Sequence, residues 1–409
     1  MTEGVTRQTV QAGLGTTPDR GIVQSLWMEL PANCDLRCPY CFCATPRDHR
    51  DDRRHNIAWT RDADEYRADL YVENILKPFA IRIDEWNAAT LAQRVSGFGC
   101  PPENADGHID GAVAIPGAGE PFHPFNLQLV LALIDAVSRL KLHLTVFTTA
   151  HFIDDDLAAH LADKDVVLLV KYNSAMRGVQ NRLVGQAKDG TFFHRRAKAM
   201  DRLMRSGFNK PYGTPGAVGY RPTRLGLVTS VMRENIRELP DLLRFARTNN
   251  LIFDCDTILE RGRGFHCRQI PPDGQTREAF YELQRIDRDE FGNHWDVSRS
   301  YVGTVCDRFR HHLYVDRIGN ISPCVGSVDI DLGNIRSGPE SLYSAWNSPI
   351  MSGVIRKRKY EGPCLSCKDW LEEKCYGCLG RCRDMDVHLR RLNGDRPVPT
   401  IPCWNNRPL

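Results

Sequence analysis

Residues 33–41 read Asn33-Cys34-Asp35-Leu36-Arg37-Cys38-Pro39-Tyr40-Cys41, a C-x3-C-x2-C spacing with an aromatic, Tyr40, just before the last thiol. Three thiolates so close in one loop suit a single metal centre. They are one short of the four that a [4Fe–4S] cluster takes, so one iron would stay open to a further ligand. Zinc is the other use of clustered thiols, but structural zinc takes four ligands, commonly in two close pairs. With Cys43 as the fourth thiol the run becomes C-x2-C-x-C, a poor tetrahedral spacing.

Outward from this loop, composition narrows the classes. The 409 residues suffice for two or three domains with their own cores. Lys plus Arg (54) nearly balances Asp plus Glu (51), for a net charge of +3, which argues for neither a nucleic-acid surface nor an acidic substrate. The charged stretch from Arg47 to His55 reads as a solvated loop. The first twenty residues lack the apolar centre of a secretory signal, and no apolar run approaches the roughly 18 residues of a membrane span. The expectation is a cytoplasmic protein with neither nucleic acid nor membrane as partner. Fifteen cysteines in such a compartment point to metal, not to disulfides.

The hydrophobic pattern alternates. Strands are expected at 22–30, 111–116, 142–148, 166–172, 223–232 and 251–257, and helices at 124–138, 153–163, 191–206, 238–248 and 276–292. Six strands before residue 260, interleaved with helices, predict a parallel sheet wrapped by helices. The cysteine loop follows the first strand, and in barrels of this kind the chemistry sits on such C-terminal strand ends. Residues 44–110 break the alternation, as a cap over the site or a peripheral insertion.

Taken together, the cysteine spacing and the element order resemble the radical S-adenosylmethionine (radical SAM) enzymes. The resemblance implies an α/β fold, a partial (β/α)6 TIM-type barrel over about 22–260, after an extension at 1–21. It implies S-adenosylmethionine (SAM) as cofactor and one [4Fe–4S] cluster at Cys34, Cys38 and Cys41, with Tyr40 beside it. An external electron donor of flavodoxin or ferredoxin type would feed the cluster. Gly117-Ala118-Gly119-Glu120-Pro121 resembles the family's G-G-E-P segment, which meets the SAM amino group; Ala118 replaces a glycine. Lys171, Asn173 and Ser174, at the end of the fourth strand, are candidates for the SAM carboxylate or ribose, and Thr148 and Thr149 for the adenosine. Thr229 and Ser230 are weaker candidates on the fifth strand.

The last hundred residues hold a second cysteine set: Cys306, Cys324, Cys364, Cys367, Cys375, Cys378, Cys382 and Cys403. Ile318-Gly319-Asn320 marks a hairpin turn inside it. The order resembles the SPASM domain, an extension of many radical SAM enzymes that carries auxiliary clusters, here over 306–409 after a linker at 261–305. The resemblance implies one or two auxiliary [4Fe–4S] clusters. It would place Cys306, Cys324 and Cys382 on one, and Cys364, Cys367, Cys378 and Cys403 on the other. The spacing departs from the usual C-x2-C-x5-C, since ten residues separate Cys367 from Cys378 and Cys375 lies between. Cys375 completes the first set or replaces Cys378.

In Asp254-Cys255-Asp256, at the end of the sixth strand, two readings stand. Cys255 faces the barrel mouth and returns a hydrogen atom to a substrate radical, or it faces the helices as core and Asp254 or Asp256 meets the substrate. Arg261-Gly262-Arg263-Gly264 binds an anionic or hydroxylated substrate or serves as linker. Only 33 residues precede Cys34, short of a leader-binding domain, which tilts the expected substrate to a small polyol such as a sugar or aminocyclitol. Epimerisation, dehydrogenation and dehydration stay open. A peptide or protein substrate, as in peptide or sulfatase maturases, is the alternative, and a non-catalytic zinc-ribbon protein using the C-x2-C pairs is the distant one.

Overall fold

Apolar strands alternating with amphipathic helices build most of the chain. A computed structural model describes residues 22–30, 34–42, 68–88, 109–186, 190–211, 223–259, 261–264, 267–295, 311–371, 378–379 and 385–395. The expected extension at 1–21 and Cys43, Cys100, Cys306, Cys375, Cys382 and Cys403 lie outside them. The strands are β1 (Ser25–Met28), β2 (Ala112–Ile115), β3 (His143–Thr148), β4 (Val166–Lys171), β5 (Leu225–Val231), β6 (Ile252–Thr257), β7 (His312–Val315) and β8 (Ile321–Ser322). Their order is β6-β5-β4-β3-β2-β1-β7-β8. Pairing is parallel for β1–β7, β3–β4, β4–β5 and β5–β6, and antiparallel for the β7–β8 hairpin.

By internal contacts the chain divides into two compact units, Glu29–Ala68 with Ala114–Thr304, and Met1–Met28 with Asp69–Val113 and Val305–Leu409. The first holds β3 to β6 and the helices α1 (Leu127–Arg139), α2 (Asp155–Ala162), α3 (Arg177–Leu183), α4 (Thr191–Arg205), α5 (Leu239–Thr248) and α6 (Asp273–Phe291). β4 and β5 are near-continuous apolar runs, the composition of parallel strands covered on both faces, and all seven residues of β5 are buried. On α1 the buried residues Val130, Leu133, Ile134 and Val137 recur at helical spacing and form one apolar stripe. Asp154 caps α2 by accepting the Leu157 N–H at 2.9 Å, with Asp155 and Asp156 behind it in the positive first turn. α6 ends at Gly292, whose φ of 72° suits glycine.

The second unit holds β1, β7 and β8 together with part of the expected insertion, a helical stretch running Ala68–Tyr71, Val72–Leu76 (one π turn) and Lys77–Ala88. Its buried residues Tyr71, Ile75, Leu76, Phe79, Ala80 and Ile83 keep helical spacing. Asn74 Nδ2 donates to the Ile335 carbonyl at 3.0 Å, tying this stretch to the C-terminal residues. No helix among the described residues is long and apolar enough to cross a membrane.

Candidate active site

The cysteine loop lies in the first unit and is pinned by backbone. Arg37 N–H donates to the Val184 carbonyl at 3.0 Å, at the end of α3, and Cys41 N–H to the Cys38 carbonyl at 3.2 Å. A Cβ on Gly185, whose φ is 72°, would lie 2.6 Å from the Arg37 carbonyl oxygen. Glycine is what lets the two backbones meet there. Gly264 N–H donates to the Cys41 carbonyl at 3.1 Å and Arg263 Nη1 to the Cys38 carbonyl at 3.3 Å. The Arg261–Gly264 segment, read from sequence as substrate ligand or linker, thus docks on the cysteine loop. Tyr40 packs with Val179, Leu183, Met232 and Ile258, and its hydroxyl accepts from Asn173 Nδ2.

Burial pushes the Cys34 thiol well above its ordinary pKa and the Cys38 thiol up to about 12, and the charges of neighbouring thiols add to both. Among the described residues no three His, Cys, Asp or Glu side chains gather closely enough to hold a single metal ion.

Glu120, in the Gly117–Pro121 turn, is fully buried. Its Oε1 accepts the Phe122 N–H at 3.2 Å and the Thr148 hydroxyl; its Oε2 accepts the Thr149 N–H at 2.7 Å and the Thr149 hydroxyl. Thr148 and Thr149, assigned from sequence to the adenosine, hold this carboxylate. Thr149 Oγ1 also lies 2.7 Å from His151 Nδ1, and His151 Nε2 lies 3.0 Å from Asp35 Oδ1. A continuous chain of hydrogen bonds therefore joins the turn of Glu120 to Asp35, the neighbour of Cys34. Burial works to raise the Asp35 carboxyl, but the hydrogen bond from His151, a backbone hydrogen bond and the nearby Arg195 together hold the group below the usual range. Gly117 has a φ of 70°, and a Cβ there would meet the Phe147 carbonyl at 2.8 Å. Gly119 is left-handed as well, whereas Ala118 is not, which is why an alanine is tolerated at that place in the motif. Ala118 is buried, with Cys41 and Phe42 packed against it.

Register sorts the remaining candidates. Lys171 pairs with Val228 and Val228 with Asp254, while Ser230 pairs with Asp256 and Thr229 with Cys255. Side chains alternate along each strand, so Lys171, Ser230, Asp254 and Asp256 share one face and Cys255 takes the other. The contacts agree: Lys171 Nζ donates to Ser230 Oγ at 3.1 Å and lies 5.9 Å from the Tyr40 ring. Burial lowers the Lys171 pKa, and the charges of Asp256 and Asp254 oppose that. Cys255 is fully buried, and burial first, then Asp254 and Asp256, push its thiol well up. Of the two readings of this segment, the burial and register of Cys255 are those of the core reading, with Asp254 and Asp256 on the face of Lys171. Asn173 and Ser174 are fully buried with internal partners. Asn173 Oδ1 accepts the Ser230 N–H at 3.0 Å, and Ser174 Oγ donates to Glu238 at 2.7 Å. Their hydrogen bonds brace strand ends.

Sequence reasoning missed Arg196. It sits on α4, fully buried, with its guanidinium carbon 3.6 Å from the Tyr172 ring centroid and Nη2 donating to the Ser174 carbonyl at 3.1 Å. Nε and Nη1 have no hydrogen-bond partner among the described residues. Burial lowers its pKa to about 10, so it stays charged at neutral pH. A buried cation without a carboxylate is costly unless an anion arrives. A lone arginine in a helix carries no spacing signal that would have marked it. His151 was missed for the same reason.

In the second unit Cys364 and Cys367 come together: Cys367 N–H donates to the Cys364 carbonyl at 3.3 Å, and both pack with Tyr360, Trp370 and Met385. Cys364 Sγ is 3.8 Å from Met385 Sδ. Cys324 precedes a short 3₁₀ turn, with Sγ 3.2 Å from Ser327 Oγ. Asp386 forms a buried pair with Arg358 at 3.3 Å and caps the helix Val387–Leu392.

Comparison with known proteins follows these two regions. Residues 306–368 match SPASM, an iron–sulfur cluster-binding domain. No curated protein matches the sequence. Among solved structures, Streptococcus suis SuiB bound to its precursor peptide SuiA superposes with a TM-score of 0.61 at 16% identity, over 98% of this chain and 80% of that one. Native anSMEcpe with bound AdoMet superposes with a TM-score of 0.51 at 14% identity, over 85% of this chain and 87% of that one. At such identities the likeness establishes the fold. The chain shares the fold of these proteins, and its residues 306–368 match the SPASM iron–sulfur cluster-binding domain.

Proposed function

We propose that the chain is a radical SAM enzyme that begins its reaction by abstracting a hydrogen atom from substrate. The observation that carries this is the placing of Cys34, Cys38 and Cys41 on one loop that is hydrogen-bonded, through Asp35, His151 and Thr149, to the Glu120 turn. The donor set fits the group: three thiols on one loop suit a cluster with one iron left open. Thiolates are costly in this buried place, and a bound cluster would offset that cost by taking their charge. When bound, the cluster and SAM together supply a 5′-deoxyadenosyl radical.

The chain's own residues bind and orient. Glu120 offers a carboxylate to the SAM ammonium, and Arg196, charged and short of partners, offers a guanidinium to the SAM carboxylate. Lys171, Asp254 and Asp256, which share one face of the sheet, hold the substrate by its hydroxyl or amino groups, setting which carbon meets the radical. An external donor of flavodoxin or ferredoxin type supplies the electron. Auxiliary clusters held by the cysteines of the SPASM domain would supply an electron acceptor or a ligand for the substrate.

A small amino- or hydroxyl-rich substrate suits that polar face. A peptide is the second reading, favoured by the structures named above, since SuiB is described bound to a precursor peptide. The test is 5′-deoxyadenosine release from SAM by the anaerobically reconstituted, reduced protein. Release that disappears in the Cys34/Cys38/Cys41→Ala variant supports the reading. A fully iron-loaded wild type that neither binds nor cleaves SAM defeats it.

A further inference from the structure

The four hydrogen bonds into Glu120 carry a consequence for ligand binding. An ionised carboxylate has about four acceptor positions. Here Phe122 N–H, Thr148 hydroxyl, Thr149 N–H and Thr149 hydroxyl take them all. A ligand ammonium therefore needs one of them vacated. Two of the donors are backbone and cannot turn away. The Thr148 hydroxyl is itself an acceptor for the Ala150 N–H at 2.8 Å, and among the described residues Glu120 is the acceptor its proton meets. The Thr149 hydroxyl differs, because 2.7 Å away stands a second acceptor, His151 Nδ1.

The imidazole is built for that role. Its side chain is fully buried, while the Asp35 carboxylate it meets is about one-third exposed. Phe152 and Phe192 hold the ring, with centroids at 4.2 and 5.1 Å. With its Nε2–H donating to Asp35 at 3.0 Å, a neutral ring leaves Nδ1 as a lone pair facing Thr149. The hydroxyl proton of Thr149 thus has two resting places, Glu120 Oε2 and His151 Nδ1, reached by rotating one C–O bond.

We propose that Thr149 and His151 form a hydroxyl switch that opens one acceptor position on Glu120 when the ammonium group of SAM arrives. This rests on the reading of Glu120 as the SAM ammonium ligand. The hydroxyl turns from Glu120 to His151, and the ammonium donates into the vacated lone pair. No bond is broken and no proton leaves its oxygen. Asp35 is a positioning residue for His151, and its place beside Cys34 ties the switch to the cluster loop.

The experiment titrates SAM anaerobically into reconstituted wild type, His151→Phe, Thr149→Val and the double variant, with iron content checked for each. His151→Phe removes the second acceptor, so the Thr149 hydroxyl stays on Glu120 and SAM affinity falls about 10- to 100-fold, the scale of one hydrogen bond to a charged group. Thr149→Val deletes the competing proton, so the double variant recovers most of that loss. A side chain that only props the fold gives no such recovery. His151→Asn, whose amide oxygen also accepts from Thr149, stays close to wild type. Should the phenylalanine variant lose its iron, His151→Leu takes its place. Unchanged affinity in iron-loaded His151→Phe, or a double variant as weak as that single one, overturns the switch alone. A wild type that loads iron but binds no SAM overturns the underlying reading and the switch with it.

Discussion

Arg196 is a fully buried cation on α4, its Nη2 donating to the Ser174 carbonyl just past the fourth strand. Its guanidinium lies on the Tyr172 ring and it has no carboxylate ion-pair partner among the described residues, which makes it the proposed ligand of the SAM carboxylate. Arg196→Met removes the charge and keeps the bulk. SAM affinity in that variant is expected to fall by about 1.5–3 kcal/mol, the scale of a charge-assisted hydrogen bond, with little change in iron content. Isothermal titration beside an iron assay checks both, and unaltered SAM affinity would reject the assignment. Gly185 makes the complementary case. A Cβ there meets the Arg37 carbonyl at 2.6 Å, on a backbone with positive φ. Gly185→Ala is expected to displace the loop between Cys34 and Cys38 and to lower iron bound at that site, at a cost of order 1–3 kcal/mol in stability. At this scale the thiols and Glu120 were legible, because spacing and glycine context mark them. Arg196, His151 and the bracing roles of Asn173 and Ser174 were not, because each depends on a partner between 22 and 133 residues away in sequence.

Among elements, α5 and α6 show how the sheet's outer layer is fastened. Asp287 of α6 is buried and accepts two hydrogen bonds from Arg247 of α5, at 2.8 and 2.7 Å, with Asn293 Nδ2 and Trp295 Nε1 as further donors at 2.9 Å. Burial works to raise this carboxyl, and the Arg247 and Asn293 hydrogen bonds outweigh it, so its folded pKa lies below the ordinary value. A depressed folded pKa contributes stability that is complete above the unfolded value of about 3.9 and is lost as pH falls through the folded one. Asp287→Ala is expected to cost on the order of 3 kcal/mol at neutral pH, and thermal melts of the two proteins should converge under acid. A gap that persists at the acid end would contradict the pairing. The six strands and their flanking helices were legible in the hydrophobic period, with ends shifted by a few residues. α3 escaped that reading: Arg177-Gly178-Val179-Gln180-Asn181-Arg182-Leu183 is short, polar and broken by glycine, with no apolar stripe to count. It is nevertheless the helix whose end holds the Arg37 backbone.

For the molecule as a whole, two metal-binding regions on one chain make an iron count the sharpest test. The SPASM match over 306–368 takes in Cys306, Cys324, Cys364 and Cys367, and four more cysteines follow it, at 375, 378, 382 and 403. The two compact units cut across sequence order, since Asp69–Val113 groups with the C-terminal residues; such a pairing leaves no local trace in a single sequence. Eight cysteines can ligate two four-iron clusters in full, at four thiolates each. The Cys34/Cys38/Cys41→Ala variant, reconstituted anaerobically, is therefore expected to keep about eight irons with matching sulfide and to lose the ability to bind SAM. Four irons would mean a single auxiliary cluster and leave several of these thiols with other work. Zinc in place of iron would overturn auxiliary-cluster chemistry here while leaving the Cys34–Cys41 loop as it stands. Loss of all metal from the variant would show that the two regions load as one, and that the first loop must be filled before the second can hold its iron.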